Sequence, residues 1–286
     1  MMDKLTILQQ NMNKSSACQH NLLSNNILIR EGINVVALQE PAISGTRYTI
    51  TSRDWTPVYP TSHSNVPSST RSITFIRADI STDSWNQLDF PSNDVTVMQI
   101  TGQWGKLTIF NIYNDGGNND TVRLLMEFHH KNQAALERVE TGEVHIIWLR
   151  DFNWHHPYWD SPKDVRLFTT DAMAAAEKLI KAVADTRLEL ALPCSIPTHE
   201  HNVTKQWSRL DQVFISDHSS TILTSCDMQT DMCSINTDHL LIRTELNLKA
   251  SPIEINQPPN FRGTDWKEFG SHLREQLDNL PLLAEI

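Results

Sequence analysis

Seven residues suited to handling a phosphate recur at or near either end of apolar runs. They are Asn11, Glu40, Tyr113, Asp151, Asn153, Asp211 and His239. The segment Val144 to Pro157 shows the pattern best. Its apolar run reads as a buried strand that stops at Asp151, with Asn153 two residues on. Side chains two apart on an extended backbone point the same way. Asp151 and Asn153 are therefore expected to face one spot, with Phe152 turned into packing. Taken alone, the pair reads equally well as an ordinary polar turn. If all seven strand ends meet, however, they form one cluster of carboxylates, amides, a phenol and an imidazole. Metal-assisted phosphodiester hydrolysis uses that set. Glu40 suits Mg²⁺ through oxygen, with Asn11 beside it. His239 can take a proton from water, because an imidazole titrates near neutral pH. Asp211 can fix its tautomer. Tyr113 and Asn153 can donate to the charged transition state.

The elements that must position these residues alternate irregularly. Strands are expected at 5–10, 33–38, 73–76, 95–100, 107–112, 144–151, 210–215, 222–226 and 240–246. Helices are expected at 20–30, 121–139 and 171–185, the last rich in Ala. Residues 42–70 are rich in Ser, Thr and Pro and read as a long surface loop. The order is not that of a regular doubly wound sheet. Two sheets packed face to face with helices outside would use every element. After Lys249 the composition shifts. Residues 1–249 are expected to form one domain, 250–263 a linker, and 264–286 a helical tail with Trp266, Phe269, Leu273 and Leu277 as its stripe.

The 286 residues, 39% of them hydrophobic, can bury a substantial core. The net charge is -10, from 34 acids against 24 bases, so bulk positive charge does not hold a nucleic acid. Any such contact must be local. Cys18, Cys194, Cys226 and Cys233 form no C-x-x-C pair or zinc-finger spacing and read as reduced thiols. No apolar stretch approaches a membrane span, and no signal-peptide core or dense basic run is visible. His155-His156 are adjacent and do not make a zinc pair, no HExxH exists, and G-x-S-x-G is absent. The 115–126 stretch lacks the glycine and final Glu of an EF-hand loop. His199, like His63, His129 and His201, reads as a surface histidine. Lys205 and Trp207 lie between two strands, where a basic and an aromatic residue would contact a DNA groove, or simply form a hairpin.

The pieces Gln10-Asn11-Met-Asn13, Leu38-Gln-Glu40-Pro41, Asn111-Ile-Tyr113-Asn114-Asp115, Asp151-Phe-Asn153-Trp-His-His-Pro157, Trp159-Asp160, Ser208-Arg-Leu-Asp211-Gln-Val-Phe214 and Thr237-Asp238-His239 occur in order. In that order and spacing the chain resembles the endonuclease domain of LINE-type (non-LTR) retrotransposons, of the endonuclease/exonuclease/phosphatase superfamily that includes apurinic endonucleases and DNase I. The resemblance implies a four-layer α/β/β/α sandwich of two mixed sheets. It implies a Mg²⁺-dependent nuclease, with Mn²⁺ as substitute, that nicks one strand of double-stranded DNA so that the 3′-hydroxyl primes reverse transcription. It carries the metal role to Glu40, Asn11 and Asp238, and phosphate binding to Tyr113. It carries water positioning to Asp151 and Asn153, and the general base to His239 backed by Asp211. Asn13, Thr198 and Ser208 would line the DNA groove. The domain would belong to a larger polyprotein with a reverse transcriptase, acting in the nucleus. One residue departs from the pattern: Arg150 stands where the family usually has Gly. Its cation would reach a DNA phosphate or pair with a catalytic acid. The second outcome would leave an inactive DNA-binding copy. An abasic-site nuclease or phosphatase of the same superfamily is the other alternative.

Overall fold

The computed structural model describes residues 4–117, 119–136, 143–232, 237–248 and 266–278, without the side chains of 143 and 275–278. The expected linker, Val139, Cys233 and the side chain of Leu277 lie outside these. Met1–Ile253 and Glu254–Ile286 are separate compact units.

Along the first unit the elements are β1 (Leu5–Asn11), α1 (Ser16–Ser24), α2 (Ile27–Arg30), β2 (Val35–Gln39), β3 (Trp55–Val58), β4 (Ser72–Arg77), β5 (Trp85–Leu88), β6 (Val95–Gly102) and β7 (Gly105–Tyr113). There follow α3 (Asp120–Lys131), α4 (Gln133–Leu136), β8 (Glu143–Asp151), α5 (Thr170–Asp185), β9 (Leu188–Leu190), β10 (His199–Glu200), β11 (Trp207–Ser208), β12 (Asp211–Ser216), β13 (Leu223–Met228) and β14 (Ile242–Leu246). The second unit holds α6 (Trp266–Asp278).

One six-stranded sheet runs β13-β14-β1-β2-β4-β3 and the other β5-β6-β7-β8-β12-β9, while β10 and β11 form a small hairpin. Each large sheet has one parallel pair, β1 with β2 and β7 with β8, so both are mixed. Alternation along each strand builds three apolar layers. Leu5, Ile7, Val35, Ala37, Ile147, Leu149, Val213 and Ile242 fill the space between the sheets. Leu8, Val36, Leu38 and Phe75 cover one outer face under Leu22 and Leu23 of α1. Phe110, Trp148 and Phe214 cover the other under Leu125 of α3 and Leu179 of α5. The result is the expected α/β/β/α sandwich. Ser15 caps α1 by accepting from the Cys18 amide, and Thr169 caps α5 through Ala172.

Several boundaries differ from expectation. The helix read over 20–30 starts at Ser16 and breaks after Ser24. There the Asn25 side chain accepts from the Ile27 amide and competes with the helix. The 42–70 loop contains β3, an edge strand whose Pro57 is tolerated because it pairs on one side only. β5 also lies at an edge, and its weak alternation hid it.

Candidate active site

Strand register explains why the seven residues meet. The parallel β1–β2 pair sets Asn11 beside Gln39, so Glu40 is the next residue. The parallel β7–β8 pair sets Tyr113 beside Asp151, and antiparallel β12 sets Asp211 beside Asp151. Between the sheets, the Asn11 amide donates to Asp151 Oδ2 at 2.8 Å, and the Gln39 amide donates to Asn111 Oδ1 at 2.7 Å. Buried polar groups are costly unless partnered, so these bonds fix the sheets' relative position at the site.

His239 stands beside Asp211 and Asp151 in the cluster. It precedes β14 and bridges His199, and its amide donates to Thr237 Oγ1. Its Nδ1 lies 2.9 Å from Asp211 Oδ2, which leaves Nε2 as the nitrogen for chemistry. Burial alone would lower this imidazole's pKa. The charge and hydrogen bond of Asp211, with Asp151 and Asp238 behind, outweigh it and raise the pKa to about 9. Burial and the neighbouring Asp211 push Asp151 up to about 7, against the opposing pull of His239, Asn11 and the Asn153 amide. Tyr113 is raised by burial and by the charges of Glu40 and Asp151, so it remains a neutral donor.

The Asp151–Asn153 pair comes together differently from the sequence reading. β8 ends at Asp151, and Asn153 is left-handed at φ 55 rather than extended. Its backbone amide donates to Asp151 Oδ1 at 3.0 Å, an Asx turn that brings the two together. Its side-chain amide donates to the Asn114 carbonyl at 2.7 Å. Phe152 is buried as expected.

Two groove residues are displaced from their expected roles. Thr198 is fully buried, and its hydroxyl accepts from the Leu210 and Asp211 amides, so it braces Asp211 instead of lining a groove. Arg150 points to the opposite face of β8 from Asp151, because neighbours on a strand alternate. It is 0% exposed and lies 4.0 Å from the Phe214 ring centroid, 4.3 Å from Phe152 and 5.5 Å from Trp159. It neither reaches DNA nor crosses the catalytic acids. Aromatic faces supply what compensation it has, since none of its three guanidinium nitrogens has a hydrogen-bond partner among the described residues. Burial, with the charge of Arg209, lowers its pKa well below the ordinary value.

The other groove candidates surround the mouth. Asn13 donates weakly to Asp238 Oδ2, and Asn202 donates to the same oxygen at 2.9 Å. Ser208 meets His199 Nδ1 at 3.3 Å. On the β10–β11 hairpin, Lys205 pairs with Glu200 and Trp207 is 44% exposed. Spacing did not reveal His199, whose ring lies 4.7 Å from that of His239. Nor did it reveal Arg71, whose guanidinium lies 4.8 Å from the Tyr113 ring centroid. In the sequence His199 reads as a surface histidine and Arg71 stands between the expected 42–70 loop and the next strand, where no local pattern signals a site.

The donor chemistry fits a hard divalent cation. The ligand atoms of Asp151, Asp211 and His239 lie within 4.8 Å of one another. Asp211 Oδ1 and Asp238 Oδ1 are buried without hydrogen-bond partners among the described residues, as oxygens awaiting a cation would be. Glu40 faces the exposed Lys14 ammonium at 3.7 Å, which is readily displaced, and lies against the Tyr113 phenol. Asn11 is less free, because its amide oxygen already accepts from the Asn13 backbone.

Residues 107–243 match the family described as Endonuclease-reverse transcriptase. No curated protein matches the chain. Among solved structures, the endonuclease domain of TRAS1, a telomere-specific non-LTR retrotransposon, is similar with a TM-score of 0.65 and 14% identity, covering 86% of this chain and 99% of that one. The AP endonuclease LMAP from Leishmania major gives 0.64 and 12%, covering 86% and 89%. The Xenopus laevis APE2 catalytic domain gives 0.55 and 14%, covering 91% and 99%. On these matches and this architecture, the chain has the endonuclease/exonuclease/phosphatase fold, and its residues 107–243 resemble the endonuclease-reverse transcriptase family.

Proposed function

We propose that the chain is a Mg²⁺-dependent endonuclease that nicks one strand of double-stranded DNA and leaves a 3′-hydroxyl able to prime reverse transcription. The observation that carries this reading is the Asp211–His239 pair, set beside Asp151 and opening on the side of Glu40 and Tyr113. In the neutral imidazole Asp211 holds His239 in the tautomer whose Nε2 is unprotonated, so Nε2 takes a proton from the attacking water. Asp151, held by Asn11 and the Asn153 amide, orients that water. The Tyr113 hydroxyl and the Asn153 side chain donate to the phosphate oxygens that gain charge in the transition state. Glu40, with Asp238 and the remaining lone pair of Asn11, would hold the cation, which when bound neutralises charge on the phosphate and the leaving 3′-oxygen. Lys205 and Trp207 would contact the duplex from the hairpin. Chromosomal DNA as target places the action in the nucleus, and priming places the domain within a reverse-transcriptase polyprotein.

The test is conversion of supercoiled plasmid to nicked circle. Cleavage is expected with Mg²⁺ or Mn²⁺, lost in EDTA and in His239→Ala, and its ends are expected to be extended by a polymerase without phosphatase treatment. Activity surviving EDTA or His239→Ala would sink the mechanism. Abasic duplex and phosphate monoesters, run beside intact duplex, distinguish an abasic-site nuclease or phosphatase.

A further inference from the structure

Arg71 stands just before β4, in a stretch with no motif. Three of its contacts converge on the site. Its Nε and Nη2 form a fork on both oxygens of Asp94, at 2.7 and 2.8 Å. Its Nη1 donates to Asp115 Oδ2 at 3.2 Å. The same planar cation lies over the Tyr113 ring. Its backbone carbonyl also accepts from the Glu40 amide at 2.9 Å. β4 belongs to the sheet carrying Glu40, whereas Asp94 and Asp115 flank β6 and β7 of the other sheet. Arg71 therefore ties the two sheets together at the mouth.

The tie extends to Asn153 through the loop after Tyr113. Asn114 lies between Tyr113 and Asp115. Its amide donates to the Asp151 carbonyl at 2.8 Å, and its carbonyl accepts the Asn153 side chain at 2.7 Å. Fixing Asp115 fixes Asn114, and so the direction of the Asn153 amide. Two carboxylates already neutralise Arg71, so it is not a free phosphate-binding cation. A planar fork gives this geometry, and a lysine does not.

We infer that Arg71 is a positioning residue that sets the Tyr113 phenol and the Asn153 amide for the reacting phosphate, acting through the Asp94 and Asp115 carboxylates. The inference rests on the nuclease reading for what those groups do, but not for the tie itself. A loosely held donor costs mainly in the transition state, so Arg71→Gln is expected to lower kcat by about tenfold to a hundredfold with KM little changed. Arg71→Lys, which keeps a charge near the ring but not the fork, should recover part of it. In a Tyr113→Phe background, Arg71→Gln should cost much less, because coupled residues are non-additive.

The experiment is that double-mutant cycle in plasmid nicking, with thermal midpoints, together with amide hydrogen exchange at Asn114 and Asn153. Faster exchange at both sites in Arg71→Gln, with a non-additive kcat loss, supports the proposal. An equal kcat loss in both backgrounds that follows the drop in thermal midpoint would overturn it. So would unchanged exchange at Asn114 and Asn153. If Arg71→Gln does not fold, Asp115→Asn in the exposed loop removes one contact and is read the same way. A wild type that cuts no DNA refutes the nuclease reading, and the exchange result still decides whether Arg71 holds the loop.

Discussion

At the scale of single residues, Arg150 and His239 illustrate two treatments of buried charge. Sequence alone makes Arg150 an intruder in the site, because the chain does not say which face of β8 it takes relative to a strand end. The structure puts it in an aromatic box on the far face. A buried cation without hydrogen-bond partners is weak evidence for stability, and apolar replacements of similar volume are often neutral or stabilising. Arg150→Met is accordingly expected to leave the thermal midpoint unchanged or higher and nicking intact. Arg150→Gly, which restores the family's usual residue, empties that box and should destabilise by roughly 2–5 kcal/mol without raising cleavage. A gain of cleavage in Arg150→Gly would return the arginine to the site. His239 has the opposite character, since its charge is paired. A rise from the ordinary imidazole value of 6.5 to about 9 is worth on the order of 3 kcal/mol. A group whose folded pKa is raised contributes that stability below its unfolded value and loses it as pH climbs through the folded one. The metal-free protein should therefore lose stability between pH 6.5 and 9, and His239→Gln should flatten that slope in thermal melts. Nicking should increase over the same window, as Nε2 becomes able to take a proton.

At the scale of elements, register does what motifs cannot. Most of the motif pieces were legible because they lie at the start or the end of an apolar run, and two parallel pairs with one antiparallel pair then gather most of them. The α/β/β/α layering was legible from the order of strands and helices. The way Asn153 turns was not, because an Asx turn depends on φ 55 at one residue and not on period. Arg71 was hidden for a related reason: its partners Asp94 and Asp115 are 23 and 44 residues away in the chain. The resemblance put Thr198 in the groove, yet its hydroxyl is consumed by backbone amides. The loop after β7 offers a test at this scale. Gly116 has φ +74, and a Cβ there would lie 3.1 Å from the Cβ of Asn153. Gly116→Ala must strain the backbone and displace Asn153 together, so a destabilisation of about 1 kcal/mol or more is expected. Its loss of kcat should exceed anything that stability explains. A variant with lowered midpoint but full kcat would show that Asn153 tolerates the shift and does not donate in the transition state.

At the scale of the whole molecule, a net charge of -10 and a DNA substrate are compatible only if contact is confined to the mouth. The cost of binding a polyanion to an acidic protein is a modest affinity, which suits a domain brought to its target by other parts of a longer chain. The division into two units bears on the same point. Among the described residues, the three apolar cores are built from residues of the first unit. The second unit contributes α6, whose Trp266, Phe269 and Leu273 recur at helical spacing on a chain of 13 helical residues. An isolated helix of that length is marginal in water, so its stability must come from a surface it packs against. Removing residues 254–286 is therefore expected to leave the thermal midpoint and plasmid nicking unchanged within error. A peptide of residues 254–286 alone should show little helix by circular dichroism. A truncated protein with a clearly lower midpoint would make α6 part of the folded nuclease domain. An unchanged one would make cleavage a property of the first unit alone.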